Sequence, residues 1–371
     1  MKVLYRCPEC NGILNVEYDL PSSLAEKLQS KKFPVSTSIW EFDELLPVKT
    51  EYSVTMGEGG TPLLSLDYSR KEENLSNWFL KNESIQPTGA FKDRPLAVAV
   101  SFAKEHQLKG IITASTGNTA VAASAYAAKS GMYCKIYVPQ TASSEKLQLM
   151  HVYGADVVPI EGNFSEAYHI VKEEAVKTQL FNVTSTFINP IAIEGNKTVA
   201  YELWYQLQKQ VPDWIVVPIG AGPLLIGVYK GFQELKQLGL TKKLPRMVGV
   251  QAENVSPIVQ AYREGSAKVS GWDKGTGTSA VGIADPLTNY PEDGTRTLSV
   301  IRESEGTAVR ICEKELLQER KDIASKEGIL LEISAAAAVT AVKKIRGSLQ
   351  EKDIVISVGT GHGLKDLSIT K

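Results

Sequence analysis

From residue 94 onward the chain alternates short, nearly continuous apolar runs with longer stretches whose apolar residues recur at helical spacing. "GIITAS" (110–115), "YCKIYVP" (133–139), "ADVVPIE" (155–161), "WIVVPIG" (214–220), "MVGVQAE" (247–253) and "DIVISVG" (353–359) predict buried parallel strands, because a strand covered on both faces loses its polar alternation. Residues 118–130, 142–153, 165–178, 194–210 and 334–347 predict helices. This pattern gives an α/β protein with parallel sheets under helices, and such sheets take ligands beyond the carboxyl ends of their strands. Function is therefore sought in the loops that follow strands. The stretch 265–300, rich in Gly, Thr and Ser, predicts a long loop with little regular structure, of the kind that acts as a lid or binding loop.

Composition narrows the partners. A chain of 371 residues, 43% apolar and 22% charged, suits two or three domain-sized units around a large core. Its 41 basic and 42 acidic residues nearly cancel without long runs of one sign, which argues against nucleic acid or a lipid surface and for a small-molecule partner. No apolar run reaches the roughly 18 residues of a membrane span, and "MKVLYRCPEC" lacks a secretory pattern, so a cytoplasmic protein is expected. Of four cysteines, Cys7 and Cys10 form a single CxxC, half of a zinc site; Cys134 and Cys312 stand alone in apolar surroundings. With no second pair or histidine nearby, no metal is expected.

Three strand-end loops and one lysine carry candidate chemistry. "ASTGNTA" (114–120) turns a strand into a helix through small polar residues, a cap or an anion site. "VPIGAGPLLIG" (217–227) places Gly220, Ala221, Gly222, Pro223 and Leu224 at a helix start, where backbone N–H groups can cradle a phosphate; neither a Walker loop nor GxGxxG is present. "SVGTGHGLKD" (357–366) offers Thr360 as a strand-end hydroxyl, with His362 read as structural. Lys92, in "KNESIQPTGAFKDRP" (81–95), follows Pro87, Gly89 and Phe91 in a loop that can enclose an amine; a desolvated amine forms Schiff bases.

These segments, in order along essentially the whole chain, resemble the fold-type II pyridoxal-phosphate enzymes, and within them the threonine synthases. "RCPECNGILNVEYDL", "GEGGTPLL" (57–64), "PTGAFKDR", "STGNTA", "EGNKTVAYELWYQL" (194–207) and "TGHGLKD" (360–366) carry the resemblance. It implies two parallel-sheet α/β domains, tryptophan synthase β-like, with the active site between them. The large domain would comprise 61–93 and 182–371, the small mobile one 94–181, and 1–60 would pack on the large domain. Lys92 would hold pyridoxal 5'-phosphate, flanked by Phe91. Asn118 would bond its phenolic oxygen, Gly220 to Leu224 its phosphate, and Thr360 its pyridine nitrogen. Ser115, Thr116, Gly117 and Thr119 would hold the substrate carboxylate. A homodimer is also implied.

The departures fall where substrate is chosen. The family's N-S-x-N-P-x-R-x-E-G-Q-K-T, whose Asn, Ser and Arg reach a substrate phosphate, stands here with Thr186, Phe187 and Ala192 at those positions. Alanine and phenylalanine cannot replace a charge-assisted arginine–phosphate pair. Gln86 and Ala90 replace Asn and Ser before the lysine, and the glycine loop is closer to that of serine and threonine dehydratases. Three readings follow. In the first, a threonine synthase acts on O-phosphohomoserine with Lys81 and Asn163 as other phosphate anchors, lining the pocket with Thr186 and Phe187. In the second, a sibling β/γ-elimination or replacement enzyme acts on another amino acid, as a threonine or serine deaminase, a cysteate synthase or a specialised biosynthetic enzyme does. The third is a catalytically silent binding module, which Lys92, Asn118 and Thr360 together argue against.

Overall fold

The computed structural model describes residues 3–32, 38–140, 144–162, 164–275 and 277–367. Its strands, in chain order, are Leu63–Ser65 (β1), Asn77–Asn82 (β2), Gly110–Ala114 (β3), Tyr133–Pro139 (β4), Asp156–Ile160 (β5), Phe181–Asn182 (β6), Trp214–Pro218 (β7), Arg246–Ala252 (β8), Thr307–Ile311 (β9) and Ile354–Gly359 (β10). They fall into two compact units, one of Met1–Tyr18, Ser36–Gly60 and Gln86–Thr198, the other of Asp19–Val35, Thr61–Ile85 and Val199–Lys371. The division extends past residues 94 and 181 on both sides. One contact explains why: at Gly195 an added Cβ would meet the Arg94 carbonyl oxygen at 2.2 Å, so the helix Pro190–Asn196 lies directly on the backbone of the helix Asp93–Glu105.

The first unit has a four-stranded sheet in the order β5-β4-β3-β6, all parallel. Ile111 of β3 pairs with Cys134 of β4 and Phe181 of β6, so the loops leaving β3 and β6 emerge at the same end of the sheet. Its core joins Ile111, Ile136 and Phe181 to Val98 and Phe102 of the helix Asp93–Glu105 and the alanines of the helix Asn118–Ser130. Each fully buried aliphatic or aromatic side chain there contributes about 1.5–3 kcal/mol.

The second unit has a six-stranded sheet in the order β1-β2-β10-β7-β8-β9. All neighbours are parallel except β1, an antiparallel edge strand on β2. The helix Ile333–Lys344 packs its alanines on Trp78, Val216 and Val355, and small side chains let a helix approach a sheet closely. Trp78 Nε1 donates to Ser357 Oγ at 3.0 Å, which satisfies the one polar atom of a fully buried ring. Among the described residues no helix is long and apolar enough to cross a membrane.

The six strands and the predicted helices are present, with differences that have physical causes. Residues 194–210 form two helices, Pro190–Asn196 and Thr198–Gln206, and the first begins earlier because Asn189 caps it and Pro190 takes its first turn. Four strands escape the hydrophobic pattern: β1 and β6 are very short, β9 carries Arg310, and β2 ends in the buried polar residues Lys81 and Asn82. The expected loop 265–300 closes with a helix, Pro291–Glu303, whose Asp293, Gly294 and Thr297 are buried beside Leu298 and Ile301 and obscure the period.

Candidate functional site

In the first unit Lys92 sits at the junction of a tight loop and the helix Asp93–Glu105. Asp93, fully buried, accepts from the Thr88 N–H at 3.2 Å and the Thr88 hydroxyl at 2.8 Å, closing the loop across Gly89 to Phe91. Gln86 accepts from the Gly59 N–H at 3.1 Å, which ties this loop to the "GEGG" segment. Lys92 itself is half-buried; its Nζ donates to Ser185 Oγ and lies 4.3 Å from the centroid of the Phe91 ring.

Glu58, fully buried, accepts from Trp40 Nε1 at 2.9 Å, the Met56 N–H at 2.9 Å and the Tyr126 hydroxyl at 2.8 Å. A buried carboxylate persists only with such donors. Burial, reinforced by the carboxylates of Asp93 and Glu58, pushes the Tyr126 phenol far above its ordinary value, so it stays a neutral donor.

The loop after β3 opens the helix Asn118–Ser130 with no side-chain cap. Ser115 Oγ accepts from the Gly117 N–H at 3.1 Å; Ser115, Thr116, Gly117 and Asn118 are half-buried, and Thr119 is buried. The loop after β6 is fixed beside it by buried polar side chains. Thr184 Oγ1 accepts from the Ala114 N–H at 3.1 Å, and Asn182 Oδ1 accepts from the Thr184 N–H at 2.9 Å. Asn189 caps the next helix through the N–H groups of Ile191 and Ala192 and donates to the Asn182 carbonyl at 2.8 Å. Ser185 is therefore held where it meets Lys92.

In the second unit β7 and β10 are adjacent and parallel, so the loop 219–224 and Thr360 leave the same end of the sheet. Gly222, at φ 104°, adopts a left-handed conformation that a side chain resists, and a Cβ there would lie 2.3 Å from Thr297 Oγ1. The carbonyls of Gly220 and Ala221 are occupied by Gln251 Nε2 at 3.3 Å and Thr297 Oγ1 at 2.6 Å. The helix Pro223–Gln237 then begins with no side-chain cap, leaving first-turn N–H groups suited to an anion. Thr360 is buried at the end of β10. His362 Nδ1 accepts from the Leu364 N–H at 3.2 Å, a local turn contact.

The residues proposed as substitutes for the missing phosphate anchors are placed otherwise. Lys81 is fully buried and donates to Glu202 Oε2 at 2.6 Å, the Thr61 carbonyl at 2.7 Å and Gln206 Oε1 at 2.9 Å, so its ammonium serves an internal ion pair rather than a ligand. Asn163 lies outside the described residues. Thr186, Phe187 and Ala192 are all buried; Thr186 Oγ1 accepts from the Ile188 N–H at 3.3 Å and shapes its own turn. Among the described residues no group of three metal-ligating side chains forms around Cys7 and Cys10 or elsewhere. The Cys7 thiol is held below its ordinary value by the N–H groups of Cys10 and Glu9, whereas burial pushes Cys134 up to about 12.

Sequence reasoning missed Ser185, Glu58 and the Asn182–Asn189 pair. Asn189–Pro190 carried a readable helix-start signal; Ser185 carried none, because Lys92 is distant in sequence, and the Trp40 and Tyr126 partners of Glu58 are likewise distant although Met56 is near.

The family profile described as "Pyridoxal-phosphate dependent enzyme" matches residues 54–361. The threonine synthase of Methanosarcina acetivorans is 38% identical over 98% of this chain and 89% of its own length. That of Methanocaldococcus jannaschii is 35% identical with the same coverage. Among solved structures, the processed form of threonine deaminase isoform 2 from Solanum lycopersicum aligns with a TM-score of 0.72 at 21% identity, covering 91% of this chain and 93% of that one. Maize serine racemase aligns with the same score and identity over 90% and 95%. At such identities the two structures speak for the fold alone.

Proposed function

The chain belongs to the pyridoxal-phosphate-dependent enzymes of the threonine synthase family, and from that premise we propose that it converts O-phospho-L-homoserine and water to L-threonine and phosphate. The observation that carries this reading is Lys92: a half-buried amine, set by a closed loop at a helix start, on a chain similar to threonine synthases from end to end.

The residues present suit the cofactor. A phosphate monoester needs clustered N–H donors, and the glycine loop offers them where a methyl at 222 would collide with Thr297. An aldehyde needs an amine, and Lys92 supplies it. When bound, the cofactor withdraws electrons from the substrate's Cα. In this reading Lys92 holds it covalently, with Phe91 alongside. Gly220, Ala221, Gly222, Pro223 and Leu224 would hold its phosphate, Asn118 its phenolic oxygen and Thr360 its ring nitrogen. Thr360 is neutral and does not force a proton onto that nitrogen, unlike a carboxylate. Ser115, Thr116, Gly117 and Thr119 orient the substrate carboxylate. Lys92 Nζ, as a free amine, would take one proton from Cα and one from Cβ, deliver one to Cγ after phosphate leaves and return one to Cα. Elimination of phosphate from Cγ and addition of water at Cβ complete the conversion.

A second reading keeps the lyase chemistry and changes the amino acid. It is favoured by the burial of Thr186, Phe187 and Ala192, none of which offers a cation, and by the closed ion pair of Lys81. Incubating the holoenzyme with O-phospho-L-homoserine and measuring threonine and inorganic phosphate decides between them. Equimolar release supports the first reading; no release, with keto acid and ammonia formed from threonine or serine, supports the second. A homodimer in the cytoplasm is the assembly and location that the family resemblance supports.

A further inference from the structure

We infer that Ser185 is a positioning residue for Lys92, holding its Nζ in one place both as ammonium and as free amine; this rests on Lys92 being the cofactor lysine. The Lys92 ammonium donates to Ser185 Oγ, and the two residues come from loops that are fixed independently. Lys92 follows a loop closed by the buried Asp93 on Thr88. Ser185 lies between Thr184, whose hydroxyl accepts from the Ala114 N–H at 3.1 Å, and Thr186, whose N–H donates to the Thr184 carbonyl at 2.8 Å. Thr184 and Thr186 are both buried, while Ser185 is only half-buried, so its hydroxyl is held by the fold without being sealed in it.

The residue type matters. A hydroxyl both donates and accepts: it takes a hydrogen bond from the ammonium and, by rotating its O–H, gives one to the lone pair of the neutral amine. A carboxylate at this position would accept from the ammonium alone and favour retention of its proton. Ser185 thus restrains a long, flexible side chain through each change of its protonation state without fixing that state.

The test uses the isosteric pair Ser185→Thr and Ser185→Val, with Ser185→Ala beside them. Holoenzyme is stripped with hydroxylamine, pyridoxal phosphate is added back, and the rate of covalent re-attachment is followed by absorbance. Borohydride trapping and peptide mapping then identify the modified residue. With Lys92 trapped in each variant, re-attachment is expected to fall about three- to tenfold in the Val and Ala variants, the effect of losing the neutral hydrogen bond that orients the attacking free amine, and to stay within about twofold in Ser185→Thr. Equal rates for the Thr and Val variants, with Lys92 still trapped, overturn the role of Ser185 and leave Lys92 standing. Trapping at another lysine in the wild-type enzyme overturns the reading of Lys92 and this inference with it.

Discussion

Under the proposed function, the first unit's candidate groups are side chains and the second's are mainly backbone. Lys92, Ser185 and the hydroxyls of residues 115–119 are placed by buried polar contacts: Asp93 on Thr88, Glu58 under Tyr126, Asn189 on Asn182. The second unit's loop from Gly220 to Leu224 is placed by the φ of one glycine and by two side chains that occupy its carbonyls. That unit's own buried lysine, Lys81, is spent inside the protein on Glu202. A movable group needs a rigid frame made elsewhere, whereas N–H donors aimed at an anion can be the frame itself.

The largest effect should come from the amine. In the proposed reading Lys92→Ala removes the covalent anchor and the base together, so kcat is expected to fall by at least about 10³-fold, with borohydride trapping lost. The apo-protein's stability should change by about 1 kcal/mol or less, because Lys92 is half-buried at a loop. A variant that retained activity would move the chemistry out of the first unit.

Lys81→Met should reverse that signature. It removes the cation that pairs with the fully buried Glu202 and is expected to destabilise the fold by about 3–5 kcal/mol in urea denaturation, while the double change with Glu202→Leu recovers much of the loss. Covalent attachment of the cofactor at Lys92 should persist in whatever fraction is folded. A stable Lys81→Met protein that had selectively lost phosphorylated-substrate binding would instead make Lys81 a ligand, contrary to its buried partners.

These two lysines also show how far the sequence could be read. The strand-and-helix alternation was legible because buried parallel strands such as β3, β4, β7 and β8 are almost continuously apolar, and the glycine loop because glycine and proline mark a strand-to-helix turn locally. The family motif singled out Lys92. What separates Lys92 from Lys81 was not legible, since it lies in pairings across long stretches of chain: Lys81 with Glu202, Lys92 with Ser185. Single-sequence patterns carry no record of such pairings. For the same reason Lys81 read as an available cation and Ser185 passed unnoticed.

On the backbone side, Gly222→Ala forces a side chain into φ 104° and against Thr297 Oγ1. Strain of about 1–3 kcal/mol is expected, and because Thr297 fastens the Ala221 carbonyl, it should appear as roughly tenfold or greater weakening of pyridoxal phosphate binding. Titration of the apo-protein by absorbance measures it. Unchanged affinity would mean that the loop does not hold the phosphate.

Thr360→Val gives the smallest change and the finest test, because valine keeps the shape and removes only the hydroxyl. The β10 ladder uses backbone groups alone, so stability should hold within about 1 kcal/mol. A neutral hydrogen bond to the ring nitrogen contributes about 0.5–1.5 kcal/mol, so cofactor affinity should fall about three- to tenfold. Attachment at Lys92 should remain intact, since the amine is placed by the first unit's own contacts. If Thr360→Val instead abolished attachment as Lys92→Ala does, placement of the amine would depend on this hydroxyl, and the contrast between a side-chain half and a backbone half would fail at that point.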